Sequence, residues 1–301
     1  RGWQDQKHIQ EVMQFLISHD VSTTYAVKIY KTYGDEAIEK VKENPYRLSS
    51  DIWGVGFKTA DKIAMNLGVD ASDPARIIAG IRYVLTHCTE EGHVYTPTDV
   101  LTQESVQSLE VDDGTIPPAL QSLAQNDEIV VENDRVYLTP FYHAERGIVR
   151  HLGRLQSASR QQFKTEQILQ LIDRLQEQQS LTFNGQQRKA VVTALTGSVL
   201  VLTGGPGTGK TTCTRGMLAL FKHLKQRVLL AAPTGRAAKR LAEVTGTEAK
   251  TIHRLLEFSP GGMSFKKGME DPLDADVVIL DEVSMVDTVL MNAMLRAVPS
   301  H

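Results

Sequence analysis

The chain has 301 residues, 41% of them hydrophobic and 23% charged, an ordinary globular balance with length for about two domains. Its formal net charge of −3 gives no overall basic field, so nucleic-acid binding would have to come from local patches or backbone amides. Two cysteines are too few for a disulfide framework and suit a reducing cytoplasm, and no apolar run approaches the roughly 18 residues needed to cross a bilayer, so no membrane partner is expected.

Residues 7–70 are dense in helical periodicity broken by glycine. Ile52-Trp53-Gly54-Val55-Gly56-Phe57-Lys58, running on to Lys62, reads as two short helices joined by a Gly-Val-Gly turn. Gly54 and Gly56 let the backbone approach a ligand closely, and the second helix points free N–H groups outward beside Lys58 and Lys62. That combination suits a DNA phosphate at a helix N-terminus. A plain tight turn between packed helices would show the same local pattern. The earlier segment Phe15–Lys28 has similar apolar spacing without the glycine pair, and reads as a degenerate copy that packs rather than binds.

The pattern then changes. Helices are expected near 75–89, 98–107 and 117–125, followed by strands at Glu128–Glu132 and Arg135–Thr139 with Asn133-Asp134 as their turn. Three helices and a terminal β-hairpin suggest a winged-helix-like module. Such a module either binds DNA or braces a neighbour, and the acidic tract Glu110-Val111-Asp112-Asp113 favours bracing. Residues 141–180 read as one or two long polar helices that form a connector.

The strongest signal follows. Val199-Leu-Val-Leu202 runs into Gly204-x-x-x-x-Gly209-Lys210-Thr211, and a helical pattern begins at once. A buried strand would deliver the loop, and glycines let backbone N–H groups curl around an anion at the helix N-terminus. Gly205, Pro206, Gly207, Thr208, Gly209, Lys210, Thr211 and Thr212 are the expected nucleotide contacts, with Lys210 on the β- and γ-phosphates and the Thr211 hydroxyl on Mg²⁺. Further along, Val277-Val-Ile-Leu280 reads as a buried parallel strand ending in Asp281-Glu282. Carboxylates at such a strand end are placed for Asp281 to hold Mg²⁺ and for Glu282 to polarise an attacking water. ATP and Mg²⁺ are therefore the expected cofactors.

Between these motifs Arg227–Ala232 reads as a second buried strand, Pro233-Thr234-Gly235-Arg236 turns into a helix, and Thr251-Ile252-His253-Arg254-Leu255 opens a short one. Arg236, Lys239, Arg240, Lys250 and Arg254 concentrate positive charge, either as a nucleic-acid groove or as a solvated helix face. Ser259–Pro272 has loop chemistry and reads as an inserted loop or hairpin, and Val286–Ala297 as one amphipathic helix.

These four ordered segments resemble motifs I, Ia, Ib and II of superfamily 1 helicases of the RecD-like group, and Phe183-Asn-Gly-Gln-Gln187 is similar to that superfamily's Q motif. The glycine hairpin followed by a winged-helix-like unit resembles the N-terminal extension of the longer RecD-like helicases. The resemblance implies a multidomain chain: a helix-hairpin-helix region at 1–72, the winged-helix-like α+β module at 73–140, the connector at 141–180, and a P-loop, RecA-like α/β domain at 181–301. It implies that Lys210, Asp281 and Glu282 are catalytic and that Gln187 reads the adenine edge. It also implies that Pro233, Thr234, Arg236, Thr251 and His253 meet single-stranded DNA, beside the hairpin residues Gly54, Gly56, Lys58 and Lys62. Movement 5′ to 3′ along one strand, single-stranded and 5′-tailed duplex DNA as partners, and a monomer are implied by the resemblance alone.

No helicase motif beyond II is present, and Arg1 in place of Met adds to the expectation of a fragment that lacks a second motor domain and hydrolyses and unwinds poorly alone. Competing readings are an ordinary P-loop ATPase or kinase, a DNA-binding regulatory module with a residual nucleotide fold, and an RNA helicase of the same superfamily. A relaxase–helicase fusion is disfavoured because no relaxase histidine cluster appears.

Overall fold

The computed structural model describes residues 2–19, 21–158, 163–179, 182–205 and 207–300, and the chain divides into two compact units, Arg1–Tyr142 and His143–His301.

The first unit opens with helices α1 (Gly2–Ser18), α2 (Thr23–Tyr33), α3 (Ala37–Glu43), α4 (Leu48–Asp51) and α5 (Phe57–Asn66). Ser22 caps α2 by accepting the Tyr25 N–H, whereas α5 begins at Gly56 with no side-chain cap, so its first N–H groups stay open. Next come α6 (Pro74–Glu90), β1 (Thr96–Pro97), α7 (Thr98–Leu109), α8 (Ile116–Gln125), β2 (Ile129–Glu132) and β3 (Arg135–Leu138). The strands form an antiparallel sheet in the order β1-β3-β2. Asn133 and Asp134 both have positive φ, 50° and 61°, which matches the right-handed twist of a two-residue hairpin. β1 was not anticipated; two residues are too short to carry a period.

One apolar core runs through this whole unit, from Val12 and Leu16 through Ile29, Ala60 and Ile81 to Leu123 and Val136. A buried polar tie crosses it. The Arg76 guanidinium donates to both carboxylate oxygens of Asp61 (2.9 and 3.1 Å) and to the carbonyls of Ala71 and Leu109. The Tyr46 hydroxyl also donates to Asp61, and burial together with that bond pushes the phenol pKa upward. α5, α6 and the C-terminal end of α7 are thereby joined at one side chain.

Helix α9 (Thr139–Ser157) leads into the second unit, which continues with α10 (Thr165–Gln179), α11 (Gly185–Thr196), α12 (Lys210–His223), β4 (Val228–Ala232), α13 (Gly235–Thr245), β5 (Ala249–Thr251), α14 (Ile252–Leu255), β6 (Phe258–Ser259), β7 (Ser264–Phe265), β8 (Val277–Leu280) and α15 (Thr288–Ala297). β5, β4 and β8 form a parallel sheet in that order, and β6 and β7 a separate antiparallel hairpin that begins at Phe258, one residue before the expected 259–272 insertion. Alternation along β4 sends Leu230 toward Leu218 of α12 and Leu241 of α13, and Ala231 toward Ile252, Leu290 and Met294 on the opposite face. Helices thus cover both faces, as parallel sheets require.

Two expectations are corrected. Val199–Leu202 is not a buried strand: no ladder bonds form there, and Val201 is 83% exposed. A strand is buried by its neighbours; without a paired edge the backbone groups of this run have to face water. β8 pairs with β4 on one edge, and its residues are half-buried throughout rather than buried.

Arg76→Met should destabilise the first unit by about 3 kcal/mol, because Asp61 loses its charge partner in a site of low exposure. Adding Asp61→Asn should recover part of that loss in denaturant unfolding; equal single and double losses would contradict the tie.

Candidate nucleotide and nucleic-acid site

In a parallel sheet all carboxyl ends share one edge, and ligands of open α/β sheets bind outside it. β4 delivers Pro233 and Thr234 to that edge, β5 ends on Thr251, which leads into His253, and β8 delivers Asp281 and Glu282. Thr234 accepts the Ala237 N–H (3.2 Å) and Thr251 the Arg254 N–H (3.2 Å), capping α13 and α14. Each hydroxyl still has its own proton to donate to a phosphate oxygen. Arg236, on the first turn of α13, is exposed, as is His253, whose ring lies 5.5 Å from that of Phe258 and 5.7 Å from that of Phe265.

Asp281 and Glu282 are exposed, and the Glu282 N–H donates to Asp281 Oδ1 (3.0 Å). Glu282 sits at φ 53°, in the left-handed region that is strained for a non-glycine residue and recurs at functional turns.

The phosphate loop precedes α12. Gly209 is the N-cap residue at φ 85° and α12 has no side-chain cap, so the N–H groups of its first turn, including those of Thr211 and Thr212, face outward. Lys210 Nζ donates to the carbonyls of Gly204 and Gly205, the latter at 2.9 Å, folding the ammonium over the loop. Thr208 Oγ1 also donates to the Gly205 carbonyl (2.9 Å), and Gly207 is left-handed at φ 73°. Pro206 lies outside the described residues. Behind the loop, Cys213 is buried in the core of the second unit, and that burial pushes its thiol pKa up.

Gln187 has a local role that sequence reasoning missed. Its Oε1 accepts the Asn184 N–H (3.0 Å) while Asn184 Oδ1 accepts the Gln187 N–H (2.9 Å), a capping box at the start of α11. Its Nε2 donates to the Thr208 carbonyl (3.1 Å), tethering the phosphate loop to α11. The Asn184-x-x-Gln187 spacing was the signal that could have revealed the capping box.

The structure gathers Pro233, Thr234, Thr251, His253, Asp281 and Glu282 at one sheet edge, and Gln187 with the phosphate loop. Among the described residues no hydrogen bond or ion pair joins Lys210 or Thr211 to Asp281 or Glu282. The described residues contain no cluster of three or more His, Cys, Asp or Glu side chains fit to hold a metal. No helix among them is long and apolar enough to cross a membrane.

In the first unit, Gly54 (φ 89°) and Gly56 form the turn between α4 and α5. A side chain at Gly54 would require a backbone conformation that L-residues rarely adopt, and its Cβ would meet Lys28 Nζ at 3.4 Å. Lys58 and Lys62, on α5, line a cleft of about 280 Å³ with Val21, Ser22, Tyr25, Thr59 and Ile63. The Phe15–Lys28 segment thus packs beside the glycine hairpin and supplies part of this wall. Charge is distributed unevenly: residues 1–142 carry 12 Lys and Arg against 22 Asp and Glu, residues 143–301 carry 21 against 14.

Fold and site define a P-loop nucleotide-binding domain preceded by a helix-hairpin-helix region. The profile of the ATP-dependent RecD2 DNA helicase HHH domain matches residues 5–95, and that of an AAA domain residues 187–301. A Deinococcus radiodurans protein, ATP-dependent RecD2 DNA helicase, is 30% identical over 313 residues, covering 99% of this chain and 43% of that protein. The RecBCD enzyme subunit RecD of Mycobacterium tuberculosis is 40% identical over 136 residues (38% of this chain, 24% of its own length), and the ATP-dependent DNA helicase dda of phage T4 is 37% identical over 106 (33% and 24%). The chain is thus similar to RecD-like helicases along its length, and its N-terminal part matches the helix-hairpin-helix domain of the RecD2 type. It spans less than half the length of the RecD2 relative.

Gly209→Ala would drive a Cβ into Gln187 Nε2 at a left-handed φ, which costs roughly 1–2 kcal/mol by itself. Nucleotide affinity should fall about ten-fold or more. An unchanged nucleotide affinity in a folded variant would contradict both the close approach and the strain.

Proposed function

We propose that the chain is the DNA-contacting and first motor part of an ATP-dependent DNA helicase that translocates 5′ to 3′ on single-stranded DNA, with single-stranded and 5′-tailed duplex DNA as partners. The observation that carries this reading is the convergence of Pro233, Thr234, Thr251, His253, Asp281 and Glu282 on the carboxyl edge of a parallel sheet, in a chain that also presents a P-loop. The names of the relatives support the helicase activity; direction follows from the resemblance of the motifs.

In this reading the phosphates of ATP replace the Gly204 and Gly205 carbonyls as acceptors for Lys210 Nζ, and the uncapped first turn of α12 supplies further donors. Thr211 and Asp281 would hold Mg²⁺, whose charge offsets that of the β- and γ-phosphates when it is bound. Glu282 accepts a proton from the attacking water. Gln187 meets the adenine edge with the amide proton and lone pair that its capping box and tether leave unused. Thr234, Thr251, His253 and Arg236 contact DNA phosphates and sugars; Gly54, Gly56, Lys58 and Lys62 hold a second DNA segment. The excess of basic residues in 143–301 favours a phosphate-tracking surface there. We infer a monomeric cytoplasmic protein. We infer that these 301 residues by themselves bind nucleotide and DNA yet turn over slowly.

Lys210→Ala should abolish the thermal protection given by Mg-ATP while leaving the unliganded transition in place; an unchanged ATP affinity would refute the loop assignment. Replacing Gly54 and Gly56 with valine should weaken DNA binding without altering nucleotide affinity in a folded variant. RNA that binds as well as DNA of the same sequence would contradict the DNA assignment.

A further inference from the structure

Trp53 is 91% exposed, the highest value of any large apolar side chain among the described residues, while its neighbours Ile52 and Val55 are 4% and 3% exposed. The turn between α4 and α5 thus folds its aliphatic residues inward and leaves an indole, with roughly 150–250 Å² of buriable surface, standing in water. The backbone beneath it is fixed. Tyr25 Oη donates to the Gly54 carbonyl (3.1 Å), Lys28 Nζ donates to the Trp53 carbonyl (3.1 Å), and the same ammonium lies 5.5 Å from the indole centroid. Tyr25 also lines the cleft of Lys58 and Lys62, so ring and cleft adjoin.

The charges around the ring favour an anionic ligand, although the unit as a whole is acidic. Asp51 accepts the Tyr33 hydroxyl and pairs with Arg47, and Asp61 is held by Arg76 and Tyr46. The two carboxylates that flank the hairpin in sequence are thereby engaged, whereas Lys28 and Lys58 stand over aromatic rings. A lone planar ring set among glycine and lysine is no apolar groove for a protein helix; it fits one planar group on a phosphate chain.

We propose that Trp53 is a stacking platform for an unpaired nucleobase of single-stranded DNA, with the adjoining backbone phosphate in the Lys58–Lys62 cleft. Stacking on an aromatic side chain tolerates any base and contributes an amount equivalent to roughly a five-fold to hundred-fold change in affinity. The hairpin would then register the end of a duplex rather than its length. This inference rests on the reading of the glycine hairpin as a DNA contact.

The test uses the chain's own fluorescence. Its two tryptophans, Trp3 and Trp53, both lie in the first unit, so Trp3→Phe leaves Trp53 as sole reporter in the full chain. An oligothymidylate and a single-stranded tail on a duplex should quench Trp53 emission; a blunt duplex and an abasic oligomer should not. Trp53→Ala should weaken oligothymidylate binding, read by the anisotropy of a labelled strand, within the stated range and with unchanged salt dependence, whereas Lys58→Ala should lower the salt dependence. DNA binding that is sensitive to Lys58→Ala but leaves Trp53 emission unchanged would overturn the stacking and leave the hairpin contact standing. Equal quenching by a blunt duplex would also overturn it. DNA binding indifferent to Trp53, Lys58 and Gly56 substitutions alike would overturn both.

Discussion

The second unit depends on the hydrogen-bond ladder of β4, which pairs in parallel with β5 on one side and β8 on the other. Parallel pairing forces the carboxyl ends of all three strands to one edge, so residues separated by tens of positions, Pro233, Thr251 and Asp281, emerge together. The faces that bury β4 reinforce the register: a one-residue slip would exchange Leu230 and Ala231 between the α12–α13 and α14–α15 sides, where neither volume fits. Chemistry at the edge is therefore fixed by packing beneath it.

The first unit uses a different device. Its helices share one apolar core, and the Arg76 guanidinium joins α5, α6 and the carbonyl end of α7 through Asp61 and Leu109. Because α5 carries Lys58 and Lys62 and starts at the glycine turn, the tie also fixes the helix that presents the hairpin. The hairpin's hydrogen bonds come from Tyr25 and Lys28 of α2, so the earlier helical pair is scaffold for the later one.

The elements legible in the sequence were those with local signals. Period-3.6 apolar stripes gave α6, α7 and α8; Asn133-Asp134 gave the hairpin turn; and the glycine-rich loop and the Asp281-Glu282 strand end gave the nucleotide motifs. What stayed hidden depends on partners distant in sequence. Arg76 and Asp61 have no periodic relation, and β5 is three residues whose pairing exists only through β4. Val199–Leu202 carries an apolar pattern, but apolarity licenses burial without supplying a neighbouring strand, and here the run remains unpaired. The use of Gln187 as a capping residue and loop tether was visible in its spacing from Asn184, yet the tether to Thr208 requires the loop to fold back on α11.

In the proposed reading the phosphate loop and the carboxyl edge of the sheet act as one nucleotide site, although no bond joins Lys210 to Asp281 among the described residues. The most direct measurement is the increment that Mg²⁺ adds to ATP affinity, by titration calorimetry on the chain and on Asp281→Asn. The substitution should remove most of that increment and leave metal-free ATP binding unchanged. An increment of the same size in both proteins would show that Asp281 is not part of the site.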